Sequence, residues 1–467
     1  MRTLKVNVFT LTAAALLLLG VPAAGRDGDS ATGTAHAVVA SPGEAVAIAA
    51  DCGGCHGGAD GEPGFAGGFP FATPMGTVYA RNITPDVDTG IGGWTLEEFG
   101  QALREGKSKT VGNLYPAMPY TSYRQMTDED VRALYHYFMN EVAPVANEVG
   151  ETRLGFPFLR VSMTVWKALF IDSGTAPPLA GASEQVRRGQ YLVDVLGHCG
   201  ECHTPRGAMY QLQASSRHLG GASVGWYAPN ISSDSTGIGD WPDAKLKSFL
   251  TRGKVEGAVA GGHMGLAVRN SLSRMPPKDI EAMVAYLKET RPVEGPPLAP
   301  PVTEVPPLDL ALVEPVSRGL GDISNTTTTN GALLYLSACA TCHGINGSLE
   351  AGGGPPLTRS RSVRRAEATN VVQAIVSGVT LGELAPRHLM PSFRADFSKA
   401  QIAAVTTYVR QRFGGFDDSV STAQVERILK GSGGVPWLIL NARWLAWLSL
   451  ILAGLVLAGL VWRRTRP

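Results

Sequence analysis

The chain has 467 residues, and its 41 lysines and arginines nearly balance its 40 aspartates and glutamates, which leaves a formal net charge of +1. This balance, with no long basic stripe, argues against nucleic acid as a partner. The length is sufficient for about three domains of ordinary size. High contents of glycine and proline, 56 and 31 residues, and only 7% aromatic residues predict short helices joined by long connections.

The N-terminus has the pattern of a secretory signal peptide over residues 1–23. Arg2 and Lys5 precede an apolar run from Val8 to Val21, and Val21-Pro22-Ala23 offers small residues for cleavage. An uncleaved membrane anchor is the alternative interpretation. With either segment, we expect the rest of the chain to leave the cytoplasm.

The most specific signal is the five-residue motif Cys-x-x-Cys-His, which occurs three times. In the attachment of c-type haem, both thiols add to the porphyrin vinyl groups and the adjacent imidazole becomes the proximal iron ligand. All six cysteines belong to these motifs, so none is left for a disulfide or for a fourth zinc ligand. The motifs therefore predict three covalently attached haem c groups, with zinc knuckles as the alternative. Their residues are Cys52, Cys55 and His56; Cys199, Cys202 and His203; and Cys339, Cys342 and His343.

Each motif lies between a predicted helix that leads into it and a predicted helix that closes the domain. Capping patterns mark the start of two closing helices, at Thr127 and at Ser398. A tyrosine recurs in the closing helices, at Tyr137, Tyr286 and Tyr408, and we interpret it as ordinary core spacing. The sequence thus predicts a mostly α fold of three tandem cytochrome c domains with long loops, plus one C-terminal transmembrane helix. The domains are expected at 38–148, 184–291 and 326–415.

The first two domains are predicted to be internal repeats. A loop that runs from Asn82 to Trp94 returns from Asn230 to Trp241 with nearly the same residues. The Asn, Asp and Gly residues of this loop supply turn geometry, and the tryptophan supplies bulk against a large flat ring. The third domain lacks the loop, which indicates a shorter domain of a different type.

Two linkers of different character separate the domains. Residues 149–183 are apolar for a linker, and we expect them to pack across the domain junction or against a partner. The linker at 292–325 has seven prolines between Pro292 and Pro307, a composition typical of a stiff extended spacer. We therefore expect the third domain to be displaced from the first two.

The ligand on the open face of each iron decides between electron transfer and small-molecule chemistry. A methionine thioether closes the site and favours reduced iron. Met118 and Met390 stand between the middle loop and the closing helix of their domains, and each precedes a proline. In the second domain we choose Met264, because it follows its motif at nearly the same distance as Met118 does. His263 and Met275 remain the alternatives there.

Near the C-terminus, residues 444–462 contain no charged side chain and are followed by Arg463, Arg464 and Arg466. This length and composition predict a transmembrane helix, and the basic cluster predicts that its end faces the cytoplasm. The haem domains would then face the periplasm from the inner membrane. A buried core helix is the alternative. Nearby Arg443 and Asp417-Asp418 are interpreted as solvated surface.

Several short stretches, spread over the first two domains, match one known family. The sequence resembles the triple-haem cytochrome c subunit of membrane-bound periplasmic dehydrogenases of the alcohol, gluconate, sorbitol and fructose type. The matching stretches are Asn82 to Asp86, Leu114 to Tyr120, Phe156 to Phe158, Gly197 to Cys199 and Cys202 to Arg206. Two departures are the clean C-terminal membrane helix and Asn230-Ile231-Ser232 in the second loop.

The resemblance implies that substrate oxidation and electron transfer are carried out by two different subunits. A catalytic dehydrogenase subunit carrying flavin or quinohaem would oxidise the substrate, and this chain would pass the electrons to ubiquinone in the membrane. Related cytochromes also serve molybdenum enzymes such as aldehyde dehydrogenases. The resemblance assigns the motif cysteines and histidines, together with Met118, Met264 and Met390, to haem binding.

Two other functions are compatible with the sequence. The chain could be a membrane-tethered carrier that feeds electrons to a terminal oxidase, without a stably bound dehydrogenase. It could also be a haem enzyme with one open iron, and the second iron is the candidate because Met264, His263 and Met275 compete for its sixth position. Nothing in the sequence marks a quinone site.

Overall fold

The computed structural model describes residues 40–58, 64–73, 75–308, 328–348, 356–384, 390–431 and 435–465. Residues Ala40–Pro467 belong to one compact unit. The predicted leader at 1–23 lies outside the described residues, as do residues 309–325 of the predicted proline-rich linker.

Helices dominate the described residues. Around the first motif they are α1 Pro42–Ala49, α2 Cys52–His56, α3 Leu96–Glu105, α4 Tyr120–Tyr123 and α5 Asp128–Asn140, followed by α6 Ser162–Phe170. Around the second motif they are α7 Glu184–Gln190, α8 Gly200–His203, α9 Asp243–Arg252, α10 Gly262–Asn270 and α11 Pro277–Glu289. Around the third they are α12 Gly331–Ala338, α13 Ala340–His343, α14 Thr369–Ser377, α15 Lys399–Gly414 and α16 Thr422–Leu429, and α17 Trp437–Thr465 comes last.

Shorter elements connect these helices. A π-helical stretch, Tyr191–Leu196, continues α7, and 3₁₀ turns occur at Ile171–Gly174, Ala214–Ser216, Leu272–Arg274, Leu357–Arg359 and Gly382–Leu384. The strands form antiparallel two-stranded hairpins, and the two hairpins of the first region return in the second. The pairs are β1 Pro70–Thr73 with β2 Gly76–Tyr79, β3 Lys107–Ser108 with β4 Gly112–Asn113, β5 Gly221–Ser223 with β6 Trp226–Ala228, and β7 Lys254–Val255 with β8 Ala258–Val259.

The helix that leads into each motif crosses the closing helix at a glycine. In the second region, a Cβ on Gly189 of α7 would lie 1.9 Å from the carbonyl oxygen of Ala282 and 2.7 Å from the Cβ of Tyr286. Only glycine permits such a close approach of two helix backbones. The same contact recurs at Gly43 with Ala133 and Tyr137, and at Gly331 with Ala404 and Tyr408. The three tyrosines noted in the sequence therefore mark the crossing point of each helix pair.

The capping patterns occur where the sequence predicts them. The hydroxyl of Thr127 accepts a hydrogen bond from the backbone N–H of Asp130 at the start of α5. At the start of α15, Ser398 and Gln401 form a reciprocal capping box. Such caps satisfy backbone donors that a helix leaves free at its first turn.

The repeated loop is built on one hydrogen-bond network in both copies. Asn82 Oδ1 accepts from the backbone N–H of Thr84 at 2.9 Å, and its Nδ2 donates to Val145 O at 2.7 Å. In the second copy, Asn230 accepts from the N–H of Ser232 at 2.8 Å and donates to Val293 O at 2.8 Å. Each asparagine thus ties its loop to the chain that leaves the closing helix.

Two apolar clusters form most of the core. The first joins the regions of the first two motifs, with Phe138 and Leu192 among its fully buried members. The second surrounds the third motif, with Val405 and Phe413 at its centre. Leu381 belongs to the chain of the third region but packs in the first cluster.

The expectation that the third domain is displaced is wrong. Asn370 of α14 exchanges two hydrogen bonds of 2.9 Å with the backbone of Tyr227, and Gln373 donates to Gly225 O at 2.8 Å. The proline-rich segment passes from the second region, where the N–H of Gly295 donates to the hydroxyl of Thr236 at 2.9 Å, onto the third region. The N–H of Ala299 in this segment donates to Arg364 O at 2.9 Å. Backbone pairing of this kind is not visible in a composition pattern.

The C-terminal helix α17 starts at Trp437, before the predicted span of 444–462. Among the described residues it is the candidate membrane helix, with a span of Trp437–Arg463, and its apolar 18-residue window has a mean hydropathy of 2.3 and no buried residue. Asp418 is more than solvated surface, because it accepts a hydrogen bond of 3.1 Å from the buried Arg410.

Candidate functional site

Each Cys-x-x-Cys-His motif forms one short helical turn directly after the helix that leads into it. In the second and third motifs, the backbone N–H of the histidine donates to the carbonyl of the first cysteine at 2.9 Å. In the first motif, Asp51 adopts a left-handed conformation with φ 49°, and the turn starts at Cys52. One turn thereby holds both thiols close to the imidazole.

Two of the motif imidazoles are oriented by a backbone carbonyl. Nδ1 of His56 lies 2.6 Å from Arg81 O, and Nδ1 of His203 lies 2.7 Å from Pro229 O. Burial lowers the pKa of both rings, and that of His203 falls to about 4. A neutral ring that donates from Nδ1 keeps a lone pair on Nε2, the arrangement found in metal-ligating histidines. The pKa of His343 is lowered by burial as well.

A cavity of about 960 Å³ is lined by residues of all three motifs. This volume is at the upper end of ligand pockets in proteins, about 300–1,000 Å³. The motif residues along its wall are Cys55, Cys199, Cys202, His203, Cys339, Cys342 and His343. The structure thus brings the three motifs to one continuous, largely apolar space.

Comparison with known proteins identifies the fold of the outer regions. The family model "Cytochrome c" matches residues 40–140, and the model "Cytochrome C oxidase, cbb3-type, subunit III" matches residues 326–409. These matches imply that the chain binds haem c covalently.

Curated proteins match nearly the whole chain. The fructose dehydrogenase cytochrome subunit of Gluconobacter japonicus is 37% identical over 97% of this chain and 96% of its own. The gluconate 2-dehydrogenase cytochrome c subunit of Pantoea cypripedii is 36% identical over 82% and 87%. The cytochrome c subunit of alcohol dehydrogenase (quinone) of Gluconobacter oxydans is 32% identical over 89% of each chain. The chain belongs to the family of dehydrogenase cytochrome c subunits.

The motif thiols of this cytochrome subunit lie in surroundings that fit haem c. Burial is the main cause that raises the pKa of Cys52, Cys199 and Cys339 to about 12. Within the described part of the chain, no group of three or more His, Cys, Asp or Glu side chains is placed to hold a metal ion. The thiols, the carbonyl-oriented imidazoles and the apolar cavity fit a porphyrin held by thioether bonds.

Two of the three candidate sixth ligands of the second region line the cavity, and the third does not. Met264 of α10 lines the same cavity as His203, and His263 lies beside it with its ring against Phe69 and Phe71. Met275 is instead buried in the first apolar cluster, with only 7% of its surface exposed. This placement supports the choice of Met264 over Met275, while His263 also reaches the cavity.

The other two predicted methionines occupy different settings. Met390 lines the cavity and is fixed by two backbone hydrogen bonds of 3.0 Å with Val379. Met118 packs against the apolar cluster of the first two regions and against a smaller one around Tyr120 and Trp166. Their role as iron ligands stays a prediction.

Sequence reasoning missed a buried carboxylate inside the second motif. Glu201 accepts hydrogen bonds from Arg206 Nη2 at 2.8 Å and from the hydroxyl of Thr121. The hydroxyl of Ser122 also lies 3.3 Å from it. Thr121 follows Met118 by a few residues, so this carboxylate ties the second motif to the predicted ligand loop of the first. The unusual acidic residue between the two cysteines was the available signal.

A second buried polar cluster lies beside the second motif. Asp194 accepts hydrogen bonds from His218 Nε2 at 3.0 Å and from the hydroxyl of Tyr286, and Arg217 Nη1 lies 3.6 Å away. Burial raises the pKa of Asp194, but the hydrogen bond and charge of His218 and the charge of Arg217 outweigh it, so the net pKa is lowered. No sequence pattern linked these residues, which are far apart in the chain.

Proposed function

We propose that the chain carries electrons from a catalytic dehydrogenase subunit to ubiquinone in the inner membrane through three covalently attached haem c groups. The family assignment supports electron transfer as the subunit's role. Bound haem c would supply one-electron redox chemistry at each site. The cytochrome c domains would extend over 38–148, 184–291 and 326–415, because each range contains one motif and one helix pair that crosses at a glycine.

The residues of the chain hold and orient the cofactor. Each motif would contribute two thioether bonds and one imidazole, and the carbonyls of Arg81 and Pro229 keep two of these imidazoles in the ligating tautomer. Met118, Met264 and Met390 would close the remaining iron faces. Apolar walls exclude water, which favours rapid electron transfer over binding of small molecules.

The observation that carries this proposal is the extent of the cavity. It continues from the three motifs to the start of α17, where Leu438, Ile439, Ala442 and Leu445 form part of its wall. An apolar passage between haem sites and a candidate membrane helix suits an acceptor that dissolves in lipid. Ubiquinone is such an acceptor, and Phe158, which also lines the cavity, provides further apolar contact.

The orientation of the chain follows from charge. Arg463 and Arg464 follow the apolar stretch of α17, and basic residues remain preferentially on the cytoplasmic side. The haem domains would therefore face the periplasm. The catalytic partner would meet them there, and it could carry flavin, quinohaem or molybdenum.

The direct test is purification of the full chain from membranes of its native host, with haem quantified and copurifying subunits identified. We expect three haems per chain and a dehydrogenase subunit in the same complex. Substrate of that dehydrogenase should then reduce a short-chain ubiquinone. Fewer haems would overturn the three-site assignment. A terminal oxidase in place of a dehydrogenase would favour the membrane-tethered carrier.

A further inference from the structure

The helix α6 presents an apolar face that the described residues leave uncovered. Val161, Val165 and Leu169 are 71%, 66% and 66% exposed, respectively. Their spacing of four residues places them on one side of the helix. Met163 and Trp166, on the other side, are buried in a small apolar cluster with Leu154. The helix is therefore apolar on both sides, which is unusual for a surface helix that faces water.

The polar side chains of the same segment are turned back into the protein. Lys167 Nζ donates to the carbonyls of Glu105 and Gly106 at 3.0 and 3.2 Å. Arg160 Nη1 donates to Asn113 O at 2.8 Å. The hydroxyl of Thr164 accepts from Asn113 Nδ2 at 2.9 Å. Both cations are thus held by backbone carbonyls, and the outward face is left without a charged group.

The residues just before α6 contact the C-terminal helix. The rings of Phe156 and Trp447 lie 5.4 Å apart between centroids. Arg443 Nη2 donates to Met75 O at 3.4 Å and lies 3.1 Å from the position of a Cβ on Gly155. Residues 155–158 therefore lie beside the first third of α17.

The length of α17 indicates at which level of the bilayer this contact lies. At about 1.5 Å per residue, its 27-residue candidate span extends roughly 40 Å. The hydrocarbon layer is about 30 Å thick, so α17 extends beyond it when the helix is not strongly tilted. Arg443 is the charged residue within the first turns of α17, and it places the boundary of the hydrocarbon near residues 443–447. Phe156 and α6 are then at the level of the lipid headgroups.

We propose that α6 is an interfacial helix whose face of Val161, Val165 and Leu169 enters the lipid surface beside α17. The inference rests on the proposed membrane association of the chain. Lipid is favoured over a protein partner because residues 155–158, just before this face, lie beside the candidate membrane helix and because the face offers no charged group for recognition.

The contact has a consequence for the cavity. Val165 and Leu169 line the cavity together with Leu438 and Ala442 of α17. With α6 in the lipid surface, the opening between the two helices would face the bilayer. A lipid-soluble acceptor could then enter from the membrane without crossing water.

Photo-cross-linking in native membranes tests this inference on the full chain with its partner subunits. The photoreactive residue p-benzoylphenylalanine would replace Val165 or Leu169, and adducts would be identified by mass spectrometry. Leu455, 64% exposed in α17, serves as the lipid-facing reference position. Val87 is the matched control, because it is apolar and 74% exposed but lies in the Asn82 loop, outside the residues that contact α17.

We expect lipid adducts at positions 165 and 169 with a yield similar to that at 455 and several-fold above that at 87. Adducts to a protein subunit at 165 and 169 would overturn the inference and make this face a subunit interface. Lipid adducts at 455 alone would also overturn it, while leaving the membrane anchor intact. If 455 itself gave no lipid adduct, both the anchor and the interfacial helix would be wrong.

Discussion

At the scale of single residues, two methionines of the second region, Met264 and Met275, have different surroundings. Met264 lines the same cavity as His203, whereas Met275 is buried in the apolar core. We predict that Met264→Ala lowers the midpoint potential of one haem, because a thioether favours reduced iron. The same haem should bind carbon monoxide in the ferrous state. A redox titration with carbon monoxide difference spectra measures both effects.

The control for this prediction is Met275→Ala. It should cost about 2–5 kcal/mol of unfolding free energy through the cavity it creates, but it should leave all three haem spectra unchanged. An open haem in the Met275 variant, with none in the Met264 variant, would reverse the ligand assignment. If neither variant opened a haem, His263 would become the ligand to test.

The buried Glu201 offers a second prediction at this scale. Its ion pair with Arg206 is shielded, with side-chain exposures of 9% and 15%. Glu201→Ala leaves a buried guanidinium without its carboxylate, and such a loss costs about 3–5 kcal/mol. Denaturant unfolding of the holoprotein would measure this. The exposed pair of Lys247 and Glu281 is the control, and Glu281→Ala should change the unfolding free energy by less than about 1 kcal/mol.

Asp194 predicts a dependence of stability on pH. Its pKa in the folded chain is lower than the ordinary value of 3.8, because His218 and Arg217 favour its charged form despite burial. A lowered pKa stabilises the folded state above the ordinary pKa, and that contribution is lost as the pH falls through the folded value. We expect the melting temperature of the wild type to fall steeply on acidification below about pH 4.

The variant Asp194→Asn should lack the part of the folding stability that the wild type loses on acidification. It should melt lower than the wild type at neutral pH, because the amide cannot pair with His218 as strongly. Its melting temperature should then change less between neutral and acidic pH. An acid profile as steep as that of the wild type would show that other carboxylates cause the loss.

At the scale of elements, the glycine crossings explain why the helix pairs recur. A Cβ on Gly189 would lie 1.9 Å from a backbone carbonyl, which cannot move without shifting α11. Gly189→Ala should therefore lower the free energy of unfolding by about 1–3 kcal/mol, near the upper end of this range. Gly93, which has no heavy atom within 4 Å of its Cβ position, is the control. Equal melting temperatures of the two alanine variants would contradict the close crossing.

The helices and motif turns also show which structural features could be predicted from the sequence. Local signals act within a few residues, so the caps at Thr127 and Ser398 were predictable and are present. The glycine crossings depend on two helices far apart in the chain. The tyrosines were visible as a repeated feature, but their partner glycines carried no separate signal. The motif turns were predictable because their chemistry requires adjacent residues.

At the scale of the whole molecule, docking of the third region was not predictable from composition. The seven prolines between Pro292 and Pro307 predict an extended segment but not its direction. Reciprocal hydrogen bonds between Asn370 and Tyr227, and the insertion of Leu381 into the first cluster, hold the third region against the second. The likeness of the first two regions was visible as a repeat, and their shared apolar core was not.

We propose that electrons leave this subunit for ubiquinone. The most direct measurement uses the intact complex in lipid nanodiscs, reduced chemically under anaerobic conditions and then mixed with a short-chain ubiquinone. Absorbance of the ferrous haems reports their oxidation. We predict that all three haems are oxidised by the quinone. Haems that stay reduced in its presence, but are oxidised when a terminal oxidase and oxygen are added, would contradict the claim.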